Sequence, residues 1–178
     1  MAAYTTIDDP EVYFQVKTYS GSGSTQSITL DGDQNMQPDM VWIKRRSSTR
    51  GHTIFDALRG ATYGIYPNLA SGQSAGASQL TSFDSNGFSL GADDRCSGSG
   101  HTYVAWNWKE SATAGFDIVT YTGNGTDDTD ISHNLSAVPK MIIVKNLDAA
   151  DDWQVYHAGN TSSPETDYLV LNETDATA

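Results

Sequence analysis

Phe14-Gln15-Val16-Lys17-Thr18-Tyr19-Ser20-Gly21-Ser22-Gly23-Ser24 returns 102 residues later as Phe116-Asp117-Ile118-Val119-Thr120-Tyr121-Thr122-Gly123-Asn124-Gly125-Thr126. Phe, Thr, Tyr and both Gly recur, and Val16/Ile118, Ser20/Thr122 and Ser24/Thr126 are close substitutions. Two further matches follow in order. Pro38-Asp39-Met40-Val41-Trp42-Ile43-Lys44 corresponds to Pro139-Lys140-Met141-Ile142-Ile143-Val144-Lys145, and His52-Thr53-Ile54-Phe55-Asp56 to Trp153-Gln154-Val155-Tyr156-His157. Three ordered matches at nearly one offset indicate an internal duplication.

The repeated unit reads as β. Residues 12–19 alternate, with Val12, Phe14 and Val16 on one face and Tyr13, Gln15 and Lys17 on the other. Met40 to Arg46 predicts an inner strand that turns basic as it leaves the core. His52 to Leu58 is ambiguous between strand and helical turn, and its repeat partner favours strand. Ser82-Phe83-Asp84-Ser85-Asn86-Gly87-Phe88-Ser89-Leu90 predicts a hairpin in which Asn-Gly supplies positive φ angles. Tyr103-Val104-Ala105-Trp106-Asn107-Trp108-Lys109 is an aromatic strand.

The fold expected is therefore an all-β antiparallel β-sandwich built from a duplicated unit, with a lectin-like jelly roll as one form of it. Its divisions are an N-terminal arm (1–11), a first unit (12–109), a linker (110–115) and a second unit (116–178), the two units forming either neighbours or one merged sandwich. The second unit has 63 residues against a repeat of 102. It matches the first only as far as Asn172-Glu173-Thr174, which aligns with the Asn68 region. Its last strands are missing, which predicts either a piece of a longer protein or an edge completed by another chain.

Composition agrees with a turn-rich β protein. Only 18% of the 178 residues are charged, while nine Tyr, five Phe and four Trp argue against disorder. The net charge of −12 is uneven: residues 1–109 hold eight Lys/Arg against ten Asp/Glu, and residues 110–178 two against twelve. Such a chain is not expected to bind nucleic acid or to insert in a membrane. The N-terminus lacks the basic and apolar regions of a secretory signal, which predicts a protein kept in the cytosol or released by lysis.

Sites with chemistry are sparse. Gly72-Gln73-Ser74-Ala75-Gly76 has the letters of a nucleophile elbow without the flanking strand and helix. Asp31-Gly32-Asp33-Gln34-Asn35 begins like a calcium loop, but Met36 and Trp42 stand where Gly and Glu are needed. The acidic turns at 127–130 and 148–152 read as solvated, with a Ca²⁺ site as the alternative if the two fold together. The four His and the single Cys96 show no ligand spacing. No catalytic, cofactor or metal residue is assigned, and the chain is expected not to be an enzyme.

Surface residues are the better candidates. Lys44, Arg45, Arg46, Arg50 and Arg59 form a basic stretch, in which Arg45, Arg46 and Arg50 are docking candidates for an acidic partner; a solvated strand end is the plainer reading. Trp106 and Trp108 share one face of a strand and would stack on sugar rings if exposed, although such pairs more commonly belong to a core. Tyr19, Gly21, Gly23 and Pro38, with their counterparts Tyr121, Gly123, Gly125 and Pro139, are expected to shape the repeated turns.

These motifs together carry a resemblance: Pro-Asp-Met-Val-Trp-Ile-Lys-Arg (38–45), His-Thr-Ile-Phe-Asp-Ala-Leu-Arg-Gly-Ala-Thr (52–62), Leu-Thr-Ser-Phe-Asp-Ser-Asn-Gly-Phe-Ser-Leu-Gly (80–91), Tyr-Val-Ala-Trp-Asn-Trp-Lys (103–109) and Ile-Ser-His-Asn-Leu…Pro-Lys-Met-Ile-Ile-Val-Lys-Asn (131–146). The set resembles a domain family of tailed bacteriophages, mostly marine, found in tail-fibre and other virion structural proteins. The resemblance implies a β-sandwich on the outside of a virion: a tail-fibre or tail-associated adhesion module, or a capsid decoration protein. Taken with the incomplete second unit, the expectation is a homo-oligomer, a trimer first, with other virion proteins and a host surface glycan as partners. The resemblance brings no catalytic residues; a glycan-binding or glycan-cleaving module is the alternative class.

Overall fold

The computed structural model describes residues 7–177. A short 3-10 turn (Pro10–Val12) leads into β1 (Phe14–Ser20), β2 (Gln26–Thr29), β3 (Met40–Arg45) and β4 (His52–Asp56). Two short pairs follow, β5 (Tyr63–Gly64) with β6 (Ser74–Ala75) and β7 (Leu80–Asp84) with β8 (Gly87–Leu90). One helical turn, α1 (Asp94–Ser97), precedes β9 (Thr102–Trp108). The remaining strands are β10 (Met141–Val144), β11 (Gln154–His157) and β12 (Leu169–Val170).

The first unit is an antiparallel sandwich. One sheet has the order β1-β9-β3-β4 and the other β2-β8-β7. Between them lie Ile28, Val41, Ile43, Phe55, Leu80, Phe88, Leu90, Cys96, Tyr103 and Ala105. The alternation of β3 and β9 delivers these residues, since successive side chains point to opposite faces: Val41 and Ile43, like Tyr103 and Ala105, are fully buried, while their neighbours are not.

β1 inverts the ordinary meaning of its own pattern. Phe14 and Val16 do share a face, but it is the outer one, and both are exposed. Gln15 points inward instead. Its amide donates to the Glu11 and Gln34 carbonyls, each at 2.9 Å, and accepts from the Gly32 amide at 3.1 Å. Its ladder partner Asn107 is also buried and donates to the Gln15 carbonyl at 3.1 Å. The end of the sandwich thus uses two amides to satisfy loop carbonyls that burial would otherwise leave unpaired. The expected arm of residues 1–11 falls partly on residues 1–6, which lie outside the described residues; its last residues belong to the unit, held by Glu11 bonding to the Asp33 amide at 2.7 Å.

The predicted hairpin forms with a two-residue loop, Ser85 and Asn86, between paired Asp84 and Gly87. Asn86 does not supply a positive φ. Gly87 alone does, at +124°, and a Cβ there would lie 2.0 Å from the Ile28 carbonyl oxygen. Asn86 instead bridges loops, accepting from the Met36 amide and donating to the Leu30 carbonyl, each at 3.2 Å.

The repeat is visible in the pairing. β3 pairs with β4 in the register Met40↔Asp56, and β10 with β11 in the register Met141↔His157, the same hairpin 101 residues on. The resolved ambiguity at His52 follows: both copies are strands. The second unit has no sandwich of its own among the described residues. Its sheet β10-β11-β12 leans on the first unit through Trp153, which packs with Ile54 and Ile65. The Trp153 indole donates to the carbonyls of Leu69 at 3.0 Å and Tyr66 at 3.2 Å, and Lys145 donates to Ala70 at 2.8 Å. Among the described residues no helix is long and apolar enough to cross a membrane.

Trp153 is therefore the anchor of the second unit. Trp153→Ala is expected to lower stability by about 3–5 kcal/mol, the usual cost of truncating a buried Trp. Denaturant unfolding of both proteins measures it, and an early unfolding phase confined to β10 to β12 should appear in hydrogen exchange.

Candidate binding surfaces

The outer face of the four-stranded sheet carries an aromatic ladder. Cross-strand pairing aligns Phe14 with Trp108 and Met40, and Val16 with Trp106 and Trp42. Phe14 and Trp108 have ring centroids 5.0 Å apart, Trp42 meets Trp106 edge-on at 6.3 Å, and Phe116 of the second unit covers Trp108 at 6.3 Å. Trp106 and Trp108 are thus neither core residues nor free: both are half-buried on the outside of the sheet. The Trp42 indole donates to His52 Nδ1 at 2.9 Å, and burial holds the His52 pKa below its ordinary value, which keeps that nitrogen an acceptor.

The basic stretch splits. Arg45 is only 6% exposed, pairs with Asp94 at 2.5 Å, also donates to the Asp94 carbonyl, and lies over the Tyr103 ring. It staples β3 to α1 and is not presented for docking, a correction to its place among the contact candidates. The guanidinium holds the Asp94 carboxyl below the usual carboxylate range. Arg59 is likewise enclosed with Asp56, at 2.5 Å. Arg46 and Arg50 are exposed, with Arg50 also reaching Asp94 at 3.3 Å.

The turn residues do different work in the two units. The Tyr19 hydroxyl donates to the Cys96 carbonyl at 2.8 Å and its ring stacks on Tyr103 at 5.3 Å. Burial pushes its phenol pKa up. Gly21 passes so close to α1 that a Cβ would stand 2.2 Å from the Gly98 carbonyl oxygen, and Gly23 sits at φ +68° with its amide on Ser97. Pro38 is fully buried. In the second unit Tyr121 is 53% exposed, Pro139 is half-buried, and a Cβ on Gly123 or Gly125 would meet nothing within 4 Å among the described residues.

β10 shows the same contrast. Val41 and Ile43 are 0% and 1% exposed; their counterparts Ile142 and Val144 are 43% and 36% exposed. All four residues of β10 are apolar and open to solvent on both faces. Burying one such side chain contributes about 1.5–3 kcal/mol, so this strand holds unrealised stabilisation. Nothing in its sequence marked it as exposed, because the same pattern is core in β3.

Among the described residues no cluster of three His, Cys, Asp or Glu is placed to hold a metal ion. Ser74 Oγ is taken up by the Tyr66 hydroxyl at 2.7 Å, and Cys96 is buried with its thiol pKa pushed up. Carboxylates meet at the joint between the units. Glu110 accepts from the Ile118 amide at 2.7 Å, Asp117 from Asn134 at 2.6 Å, and Asp39 from the Glu110 amide at 2.8 Å. Burial raises the Glu110 pKa, with Asp39 and Asp117 adding to it, whereas the Asn134 amide lowers that of Asp117.

Two predictions follow from these contacts. Gly21→Ala should cost about 1–3 kcal/mol through overpacking against Gly98, and Gly123→Ala should stay within about 0.5 kcal/mol of the parent, both by denaturant unfolding. Glu110 stabilises the fold most below the ordinary carboxyl pKa, and that contribution is lost as pH rises through its raised folded value; Asp117 does the reverse, losing its contribution as pH falls through its lowered one. Glu110→Gln should therefore flatten the decline in stability from mildly acidic to neutral pH, measured by unfolding across a pH series.

No curated protein and no solved structure matches this chain. A family model does, over residues 9–178, and so the chain belongs to the family described as Domain of unknown function (DUF7483).

Proposed function

We propose that the protein is a non-enzymatic structural protein of a bacteriophage virion, a tail-fibre or tail-associated adhesion module that assembles as a homo-oligomer, with a trimer as the first expectation. The observation that carries the reading is β10, four consecutive apolar residues on a sheet edge that is unpaired among the described residues. Isolated proteins avoid such edges, and assemblies cover them. The resemblance of the motif set to phage virion proteins supports a place on the outer surface of the particle, with release from the host by lysis.

The second support is the aromatic ladder. Half-buried Trp106 and Trp108 beside exposed Phe14 and Val16 make a platform of the kind that stacks on sugar rings, which suits contact with a host surface glycan. The glycan-cleaving alternative would need two carboxylates facing each other across a cleft, and absence of any polysaccharide cleavage by the purified protein would argue against it.

Antibody labelling of purified particles tests the reading. Label along the tail is the expected result. Label confined to the head would make the protein a capsid decoration protein, and absence from particles would overturn the virion role. Light scattering of the purified chain at several concentrations should give a stable oligomeric mass.

A further inference from the structure

The outer face of the four-stranded sheet changes character along its strands. Directly paired residues of neighbouring antiparallel strands share a face, so the register gives the rungs of that face in order. One rung is Phe14, Trp108 and Met40, and the next is Val16, Trp106 and Trp42. The third is Thr18, Val104, Lys44 and His52. Beyond it Ser20 pairs with Thr102, whose carbonyl accepts from the Arg46 amide at 2.7 Å. The face thus runs from rings at one end to hydroxyls and cations at the other.

The second unit covers the ring end. Phe116 lies on Trp108, and Met40 and Trp42 pack with Ile54, Ile65 and Trp153. The middle stays accessible: Val16 and Thr18 are exposed, and Val104 and Trp106 are half-buried. Beside them stand two cations with no carboxylate partner among the described residues. Lys17, Arg45, Arg50 and Arg59 are each held in an ion pair. Lys44 instead donates to the carbonyls of Arg50 at 2.7 Å and Arg45 at 3.0 Å, neutral acceptors that leave its charge uncancelled. Arg46 is exposed.

We infer that this face binds an anionic glycan, with a sugar ring stacked on Trp106 and an acidic substituent of the next sugar held by Lys44 and Arg46. Successive rungs are two residues apart, about 7 Å along the strands, so the cations begin close to one sugar residue beyond the ring. The guanidinium of Arg46 suits a carboxylate, sulfate or phosphate group, and Lys44 adds a point charge. An apolar chain segment laid here would meet two cations and the Thr18 and Thr102 hydroxyls, whereas a glycan offers each of them a partner. A dense phosphate backbone would meet the net charge of −12; a glycan with acid groups at intervals needs only the two local cations, because salt screens the acidic second unit over about 8 Å. The inference rests on the glycan-contact part of the proposed function and adds the charge of the ligand.

Calorimetric titration of the purified chain with dextran, dextran sulfate, polygalacturonate and an oligothymidylate tests it. Binding to dextran sulfate or polygalacturonate is expected, weakening as salt rises, with dextran weaker by about tenfold or more. Arg46→Gln, at an exposed position where folding is not at stake, should weaken that binding by about tenfold. Lys140→Gln, the same charge change on the second unit, should leave it within about twofold. Trp106→Leu keeps apolar bulk beside Trp42 and should also cost about tenfold; the Arg46 variant decides the matter if this one loses stability. Equal binding to dextran would overturn the inference and leave the glycan-contact reading standing, whereas no binding to any of the three polysaccharides overturns both. Tighter binding to the oligothymidylate, or binding to the acidic polymers that a stably folded Trp106→Leu protein retains in full, overturns the inference as well.

Discussion

One strand holds this molecule together. β9 is paired along its whole length on both sides, to β1 and to β3, and it sends Tyr103, Ala105 and Asn107 into the interior of the sandwich. Its other face carries Trp106 and Trp108, around which the outer aromatic ladder assembles. A central strand satisfies two sets of backbone groups at once and buries side chains in two directions. Removing it would therefore expose two edges and two faces together.

The second unit displays that dependence from the other side. It repeats the β3–β4 hairpin in the same register, so local sequence suffices for the hairpin. It does not repeat the sandwich, because no strand among the described residues stands where β9 would. The consequence is graded along the chain. Trp153, just ahead of β11, and Val155 within it find burial, Trp153 against the first unit, whereas β10 remains open. The joint is polar where the units diverge, with Glu110, Asp117 and Asp39 each satisfied by a backbone amide. It is apolar where they meet, through Phe116 on Trp108 and Trp153 on Ile54 and Ile65.

Much of the fold was legible in the residues. The repeat, the strand character of 40–46 and 52–56, the hairpin at 80–90 and the aromatic strand at 103–109 all follow from patterns with short-range causes. The candidate sites were less legible, and for a consistent reason. Arg45 and Arg46 are adjacent and chemically alike, yet strand alternation buries Arg45 against Asp94, 49 residues away, and leaves Arg46 in solvent. Gln15 reads as an outward residue beside Phe14 and Val16, until loop carbonyls from Glu11 and Gln34 converge on it.

The sequence by itself determined the periodicity, the duplication, the turn positions and the charge imbalance between the halves, because these depend on residues a few places apart or on simple counts. Only the tertiary structure decided which face of each strand is covered. Val41 and Ile142 have the same local surroundings and opposite burial. Burial is set by what lies across the sheet, and for β3 that is the distant β7–β8 hairpin and β9, while for β10 no equivalent is present among the described residues.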